Sequence, residues 1–185
     1  MTKTISSPPS ATTVGDLRAL AGPWNPHGPG NGSGVAETVK QELRRNLLAR
    51  LAAGESAFPG IVGFDETVLP QLERAIIAGH DLVLLGERGQ GKTRLARTVV
   101  GLLDEWTPYV AGTELHEHPF GPITSATTQL LSDKGDATPI AWLHRDDRYG
   151  EKLATPDTRV GDLIGDVDPV NFAEGRTLWE PDTVH

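Results

Sequence analysis

Asp81-Leu82-Val83-Leu84-Leu85-Gly86-Glu87-Arg88-Gly89-Gln90-Gly91-Lys92-Thr93 is the stretch on which the fold turns. Asp81 to Leu85 read as a short, apolar, buried parallel strand. Gly86 to Thr93 fit the pattern G-x-x-x-x-G-K-[ST]. Just beyond, Leu95, Val99, Leu102 and Leu103 recur at helical spacing. A strand, a glycine-rich loop and a helix in that order form the context in which this pattern holds phosphate.

The spacing has a chemical reason. A triphosphate is a dense anion and needs many donors with little steric bulk. Gly86, Gly89 and Gly91 let the backbone approach such a group closely. Successive backbone N–H groups form an anion-binding concavity, and a helix starting near Lys92 adds the positive end of its dipole. The pattern gives Lys92 the β- and γ-phosphates and gives the Thr93 hydroxyl a Mg²⁺. It asks nothing of Arg88 or Arg94, which are expected to be solvated.

The chain has 185 residues, a formal net charge of -8 and no cysteine. The charge argues against a general nucleic-acid or anionic-membrane binder. Without cysteine there are no disulfides, thiolate metal sites or cysteine nucleophiles. The N-terminus has no basic region followed by an apolar core, and no apolar run has the length of a membrane span. The expected location is cytoplasmic.

Residues 1 to about 13 are rich in Ser, Thr and Pro, and 22 to 34 in Gly and Pro. Residues 1–35 are therefore expected to be a disordered tail and linker, with at most one helical turn from Asp16 to Leu20. Order is expected from Ala36. Val39, Leu43, Leu47, Leu48 and Leu51 mark one helix face, with Arg44, Arg45 and Arg50 off it and solvated. A second helix is expected after Asp65 as its cap, carrying Val68, Leu72, Ala75 and Ile76, weakly kinked at Pro70 and stopped by Gly79. Tyr109-Val110-Ala111 and Ile140-Ala141-Trp142-Leu143 read as further strands, with a helix between them over 125–131. Strands alternating with helices predict an α/β domain with a mainly parallel sheet. Farther on, Asp166 to Val170 and Arg176 to Trp179 suggest a hairpin with a long loop.

Together these segments resemble a known family. Phe58-Pro59-Gly60-Ile61-Val62-Gly63, the following helix and the P-loop resemble the start of an AAA+ ATPase. Ala154-Thr155-Pro156-Asp157-Thr158-Arg159-Val160-Gly161-Asp162-Leu163-Ile164-Gly165-Asp166-Val167-Asp168 is similar to the ATPase subunit of magnesium chelatase and its relatives. The resemblance covers about residues 36 to 185. It implies a P-loop NTPase (AAA+) parallel sheet flanked by helices, with a β-hairpin insert in the second helix near 157–182. It implies that Ile61, Val62 and Gly63 border the adenine. ATP and Mg²⁺ are the implied cofactors, held by Gly86, Glu87, Arg88, Gly89, Gln90, Gly91, Lys92 and Thr93, with Thr93 on the metal. A homo-oligomeric ring and a partner subunit or client protein are implied too. The activity would couple ATP hydrolysis to metal insertion or partner remodelling. In that family an acidic strand, a polar sensor, an arginine finger and a helical lid follow the insert. None of these lies within the chain, so the module is expected to be incomplete at its C-terminus. The alternative is a nucleotide-binding module without hydrolysis. A P-loop kinase or transferase is a weaker third reading.

Other constellations are read as structural. His116-Glu117-His118 is expected to be a solvated polar loop rather than a metal site. His144-Arg145-Asp146-Asp147-Arg148 reads as a loop laced with ion pairs. Asp162, Asp166 and Asp168 fit no calcium-loop pattern. Asp104-Glu105, near a helix C-terminus, opposes the dipole and promises no stability there.

Overall fold

A computed structural model describes residues 6–20, 36–153 and 155–161. The expected linker over 22–34 and most of the expected insert near 157–182 lie outside these residues. The chain divides into two units, 1–149 and 150–185. In the second, a turn is closed by Thr158 N–H donating to Thr155 O at 2.9 Å. Among the described residues, no helix is long and apolar enough to cross a membrane.

The first unit contains α1 (Val14–Leu20), α2 (Val39–Ala52), α3 (Val68–Ala78), α4 (Lys92–Val100), β1 (Trp106–Val110), α5 (Ser125–Lys134) and β2 (Ile140–His144). Short 3-10 turns, Gly135–Ala137 and Arg145–Arg148, precede and follow β2. Local chemistry sets the helix ends. Thr38 and Gln41 form a capping box at α2, where each side chain accepts from the other's backbone N–H. Gly79 ends α3 at φ +71, a left-handed conformation that its missing Cβ makes cheap. Thr67, not Asp65, takes the N-cap position of α3. Pro70 is thus the third helical residue, where no intrahelical donor is missed, and no kink is required.

Two apolar clusters make the core. In the first, Leu47 of α2, Leu69, Leu72 and Ile76 of α3 and Leu95 of α4 pack with Ala57, Phe58 and Leu102. In the second, Ala11, Val14, Leu17 and Ile140 are joined by Phe120, Leu131 and Trp142. This second cluster corrects the expectation of a disordered N-terminal tail. Residues 6–20 are tied down by Ile140 N donating to Thr12 O and by Trp142 Nε1 donating to Ala11 O, both at 2.9 Å. Three small or aliphatic side chains, three residues apart, suffice to anchor the segment.

The described sheet has two strands, and they run antiparallel, with Trp106 opposite His144 and Val110 opposite Ile140. β1 overlaps the strand expected at 109–111 only at Tyr109 and Val110, β2 contains the one expected at 140–143, and no parallel pair is found among the described residues. Short apolar runs carry a period but no direction, so their sequence could not supply it. Asp81 to Leu85 form no strand: backbone groups of 82–85 bond to no other described residue.

The solvated face expected for Arg45 and Arg50 is also corrected. Arg45 pairs with Asp104 at 2.6 Å and with Glu37 at 3.0 Å, its side chain largely covered. Arg50 donates to Ala57 O and Gly101 O. Leu48 and Leu51, expected to be buried, are exposed. Guanidinium groups thus close the seam between α2 and the end of α4, a role that hydrophobic periodicity cannot see.

Candidate phosphate-binding site

The loop from Gly86 to Gly91 leads directly into α4. Gly91 is the N-cap of α4 at φ +74. No side chain caps this end, so the donors of the first turn are left open. Among the described residues, the backbone N–H groups of Gly89, Gln90, Gly91, Lys92, Thr93 and Arg94 donate to nothing. Six consecutive open donors at a helix N-terminus make a site of positive potential.

Two side chains shape the loop. Lys92 Nζ donates to Gly86 O at 2.6 Å and to Glu87 O at 2.5 Å, folding back over the loop that precedes its own helix. Gln90 Oε1 accepts from Glu87 N–H at 3.1 Å. Gly86 is at φ +153, and a Cβ there would lie 2.2 Å from Gln90 Oε1, so the Gln90 amide would have to swing away. It is the backbone conformation, rather than the movable amide, that favours glycine there.

Arg94 carries the site outward. Its Nη2 donates to Gly60 O at 2.8 Å and ties α4 to the 58–63 loop. Arg94 is exposed, as expected for a solvated side chain, and makes this one contact in addition. Between loop and helix lies a cavity of about 690 Å³. Ile61, Val62, Gly89, Gln90, Gly91 and Lys92, all expected site residues, line it together. Gly63, Gly86, Glu87, Arg88 and Thr93 are not on its wall. Gly86 and Glu87 take part through the carbonyls that hold Lys92, while Thr93 is exposed on the first turn of α4. Phe64, Val68 and Leu84 complete an apolar wall that the motif did not name. Val68 and Gln71 lie at helical spacing on α3, and that spacing was the available signal. No carboxylate lines this cavity among the described residues.

The arrangement suits a nucleotide. The open N–H groups and Lys92 offer charge-matched donors to phosphate oxygens, and the apolar wall can cover a purine face. One hydroxyl, Thr93, is offered to a Mg²⁺, an ion that takes few protein ligands and keeps phosphate and water oxygens.

Of His116-Glu117-His118, expected as a solvated loop, only His116 is exposed. Glu117 is 3% exposed and serves the N-terminus of α5, where its carboxylate accepts from Ile123 N, Thr124 N and the hydroxyls of Thr124 and Thr127. Burial pushes its pKa up, but these donors outweigh that and hold it down at about 2. His118 is pushed down to about 4 by burial, with a smaller contribution from the Arg148 charge. Among the described residues, no group of three or more His, Asp or Glu could hold a metal ion. Asp104 and Glu105 also have structural partners: Arg45 and Asn46 for the first, Ser6 N–H and Oγ for the second. Both lie past the end of α4, so the dipole argument does not apply to them. No protein-family model, curated protein or solved structure matches the chain.

Proposed function

We propose that the chain binds MgATP or MgADP at Gly86 to Thr93, as the front portion of a chelatase-like AAA+ ATPase module with a parallel sheet. The observation that carries this is the run of six open backbone N–H groups at the start of α4, beside Lys92 and an apolar cavity. In this reading the N–H groups cradle the phosphates, and Lys92 exchanges its two carbonyl partners for phosphate oxygens. Ile61 and Val62 cover the base, and Thr93 ligates Mg²⁺. The bound Mg²⁺ supplies charge neutralisation between phosphates. Coupling to metal insertion or partner remodelling, a homo-oligomeric ring and a cytoplasmic location belong to the same proposal and rest on the family resemblance.

A second reading, binding without turnover, has its own support. The cavity wall offers no carboxylate to orient a water or complete a metal shell. Phosphate release by the 185-residue chain, measured beside Lys92→Ala, separates the two. Release no faster than in the variant supports a binding module. Clear Lys92-dependent turnover supports the ATPase and rules the binding module out.

A further inference from the structure

The apolar wall of the P-loop cavity carries one polar side chain that the phosphate cradle does not use. Gln71 of α3 lines this cavity together with Ile61, Val62, Phe64 and Val68. It follows Val68 at i+3, so the two side chains share one helix face. The other polar side chains on the wall have partners in the protein. Lys92 is held by two carbonyls, Gln90 Oε1 accepts from Glu87 N–H, and Arg94 donates to Gly60 O. The Gln71 carboxamide is exposed and bonds to no other described residue.

An amide offers an acceptor and a donor side by side. In water both are satisfied. A base lying against Phe64 and Val68 displaces that water, and an edge that does not match the amide leaves a polar group unpaired. The purines differ at this edge. Adenine presents the N6 amino donor beside the N7 acceptor, which complements a glutamine amide. Guanine presents two acceptors there, O6 and N7, so one half of the amide goes unpaired.

We propose that Gln71 is a specificity-determining residue of the nucleotide site, which pairs with N6 and N7 of the base and so selects adenine over guanine. The assignment rests on the nucleotide reading above. It adds a residue that lies outside both the P-loop and the 58–63 loop. The cradle takes phosphates whatever the base, and Gln71 makes the choice between bases.

The test is calorimetric titration of the 185-residue chain with MgADP, MgGDP and the Mg²⁺ complex of 7-deaza-ADP, which lacks the N7 acceptor. Magnesium tripolyphosphate, titrated into the parent, probes the phosphate cradle without a base. The parent is expected to bind MgADP about tenfold more tightly than either of the other nucleotides. In Gln71→Leu the ratio between MgADP and MgGDP should fall to about one. The ratio is the readout, because leucine changes the apolar contact with every base alike. Should Gln71→Leu lose the parent circular dichroism, Gln71→Glu makes the same comparison, keeping the shape without a donor for N7. Equal affinity of the parent for MgADP and MgGDP overturns the inference, as does an adenine preference that survives in the variant. In either case, tripolyphosphate binding by the parent leaves the phosphate cradle standing. If tripolyphosphate and nucleotides all fail to bind, the nucleotide reading itself fails, and the assignment of Gln71 with it.

Discussion

Glu117 and Lys92 show how single side chains set local structure here. Four donors converge on the Glu117 carboxylate, which orders the turn leading into α5. With a folded pKa of about 2, below the ordinary 4.5, its contribution is present above pH 4.5 and is lost as pH falls towards 2. His118, lowered from 6.5 to about 4, acts in the same direction one step earlier: the unfolded chain takes up its proton first, so stability falls between pH 6.5 and 4. Urea midpoints measured against pH are therefore expected to decline in two stages. His118→Gln should remove the upper stage and leave the lower; an unchanged profile would refute the assignment. Glu117→Gln should cost about 1–2 kcal/mol at neutral pH, measured by the same unfolding. At the P-loop, Gly86→Ala forces the Gln90 amide away and puts Cβ on a left-handed backbone. It should destabilise by at least about 1 kcal/mol and weaken nucleotide binding; full retention of both would mean that the loop conformation is not required.

At the scale of elements, α2 is fastened by charge as much as by apolar contact. Arg148 Nη2 lies 2.5 Å from Glu42 Oε2, both side chains mostly covered, and Arg148 also donates to Thr107 at 2.6 Å. This joins α2, β1 and the turn after β2. Arg148→Ala should cost about 3–5 kcal/mol in a denaturant series, because Glu42 would stay buried without its cation. A loss within experimental error would show that water reaches the pair. Hydrophobic spacing located α2 but found its face only in part: Leu43 and Leu47 meet the core, whereas Val39, Leu48 and Leu51 are exposed and Glu42 is buried. Ion pairs between residues tens to a hundred positions apart leave no local signature. By contrast, the start of α4 and the Gly79 stop were legible because glycine at fixed positions dictates the backbone. The candidate site was legible for the same reason in its loop, and through the 58–63 segment in its apolar wall. Arg94, Phe64 and Val68 joined it only through tertiary packing.

At the scale of the molecule, Leu82 to Leu85 hold the least settled position. Leu84 packs against the first core cluster, whereas Val83 is 81% and Leu85 89% exposed. Val62 is 84% exposed nearby on the cavity wall. An exposed apolar segment with unpaired backbone groups is open to pairing with another chain. The 185-residue chain is therefore expected to self-associate, and Val83→Lys with Leu85→Lys to reduce this in sedimentation velocity without loss of helical signal. A parent that stays monomeric at every concentration would contradict that expectation. The parallel sheet inferred from this segment was a matter of sequence context, and the described strands do not supply its partners. The site itself bears the central claim, that open donors at the start of α4 bind nucleotide phosphate. Calorimetric titration of the chain with MgADP and MgATP, beside Lys92→Ala, tests it most directly. Saturable binding by the parent, at least about tenfold weaker in the variant, is the predicted result. Absence of binding, or equal affinity in both proteins, would contradict it.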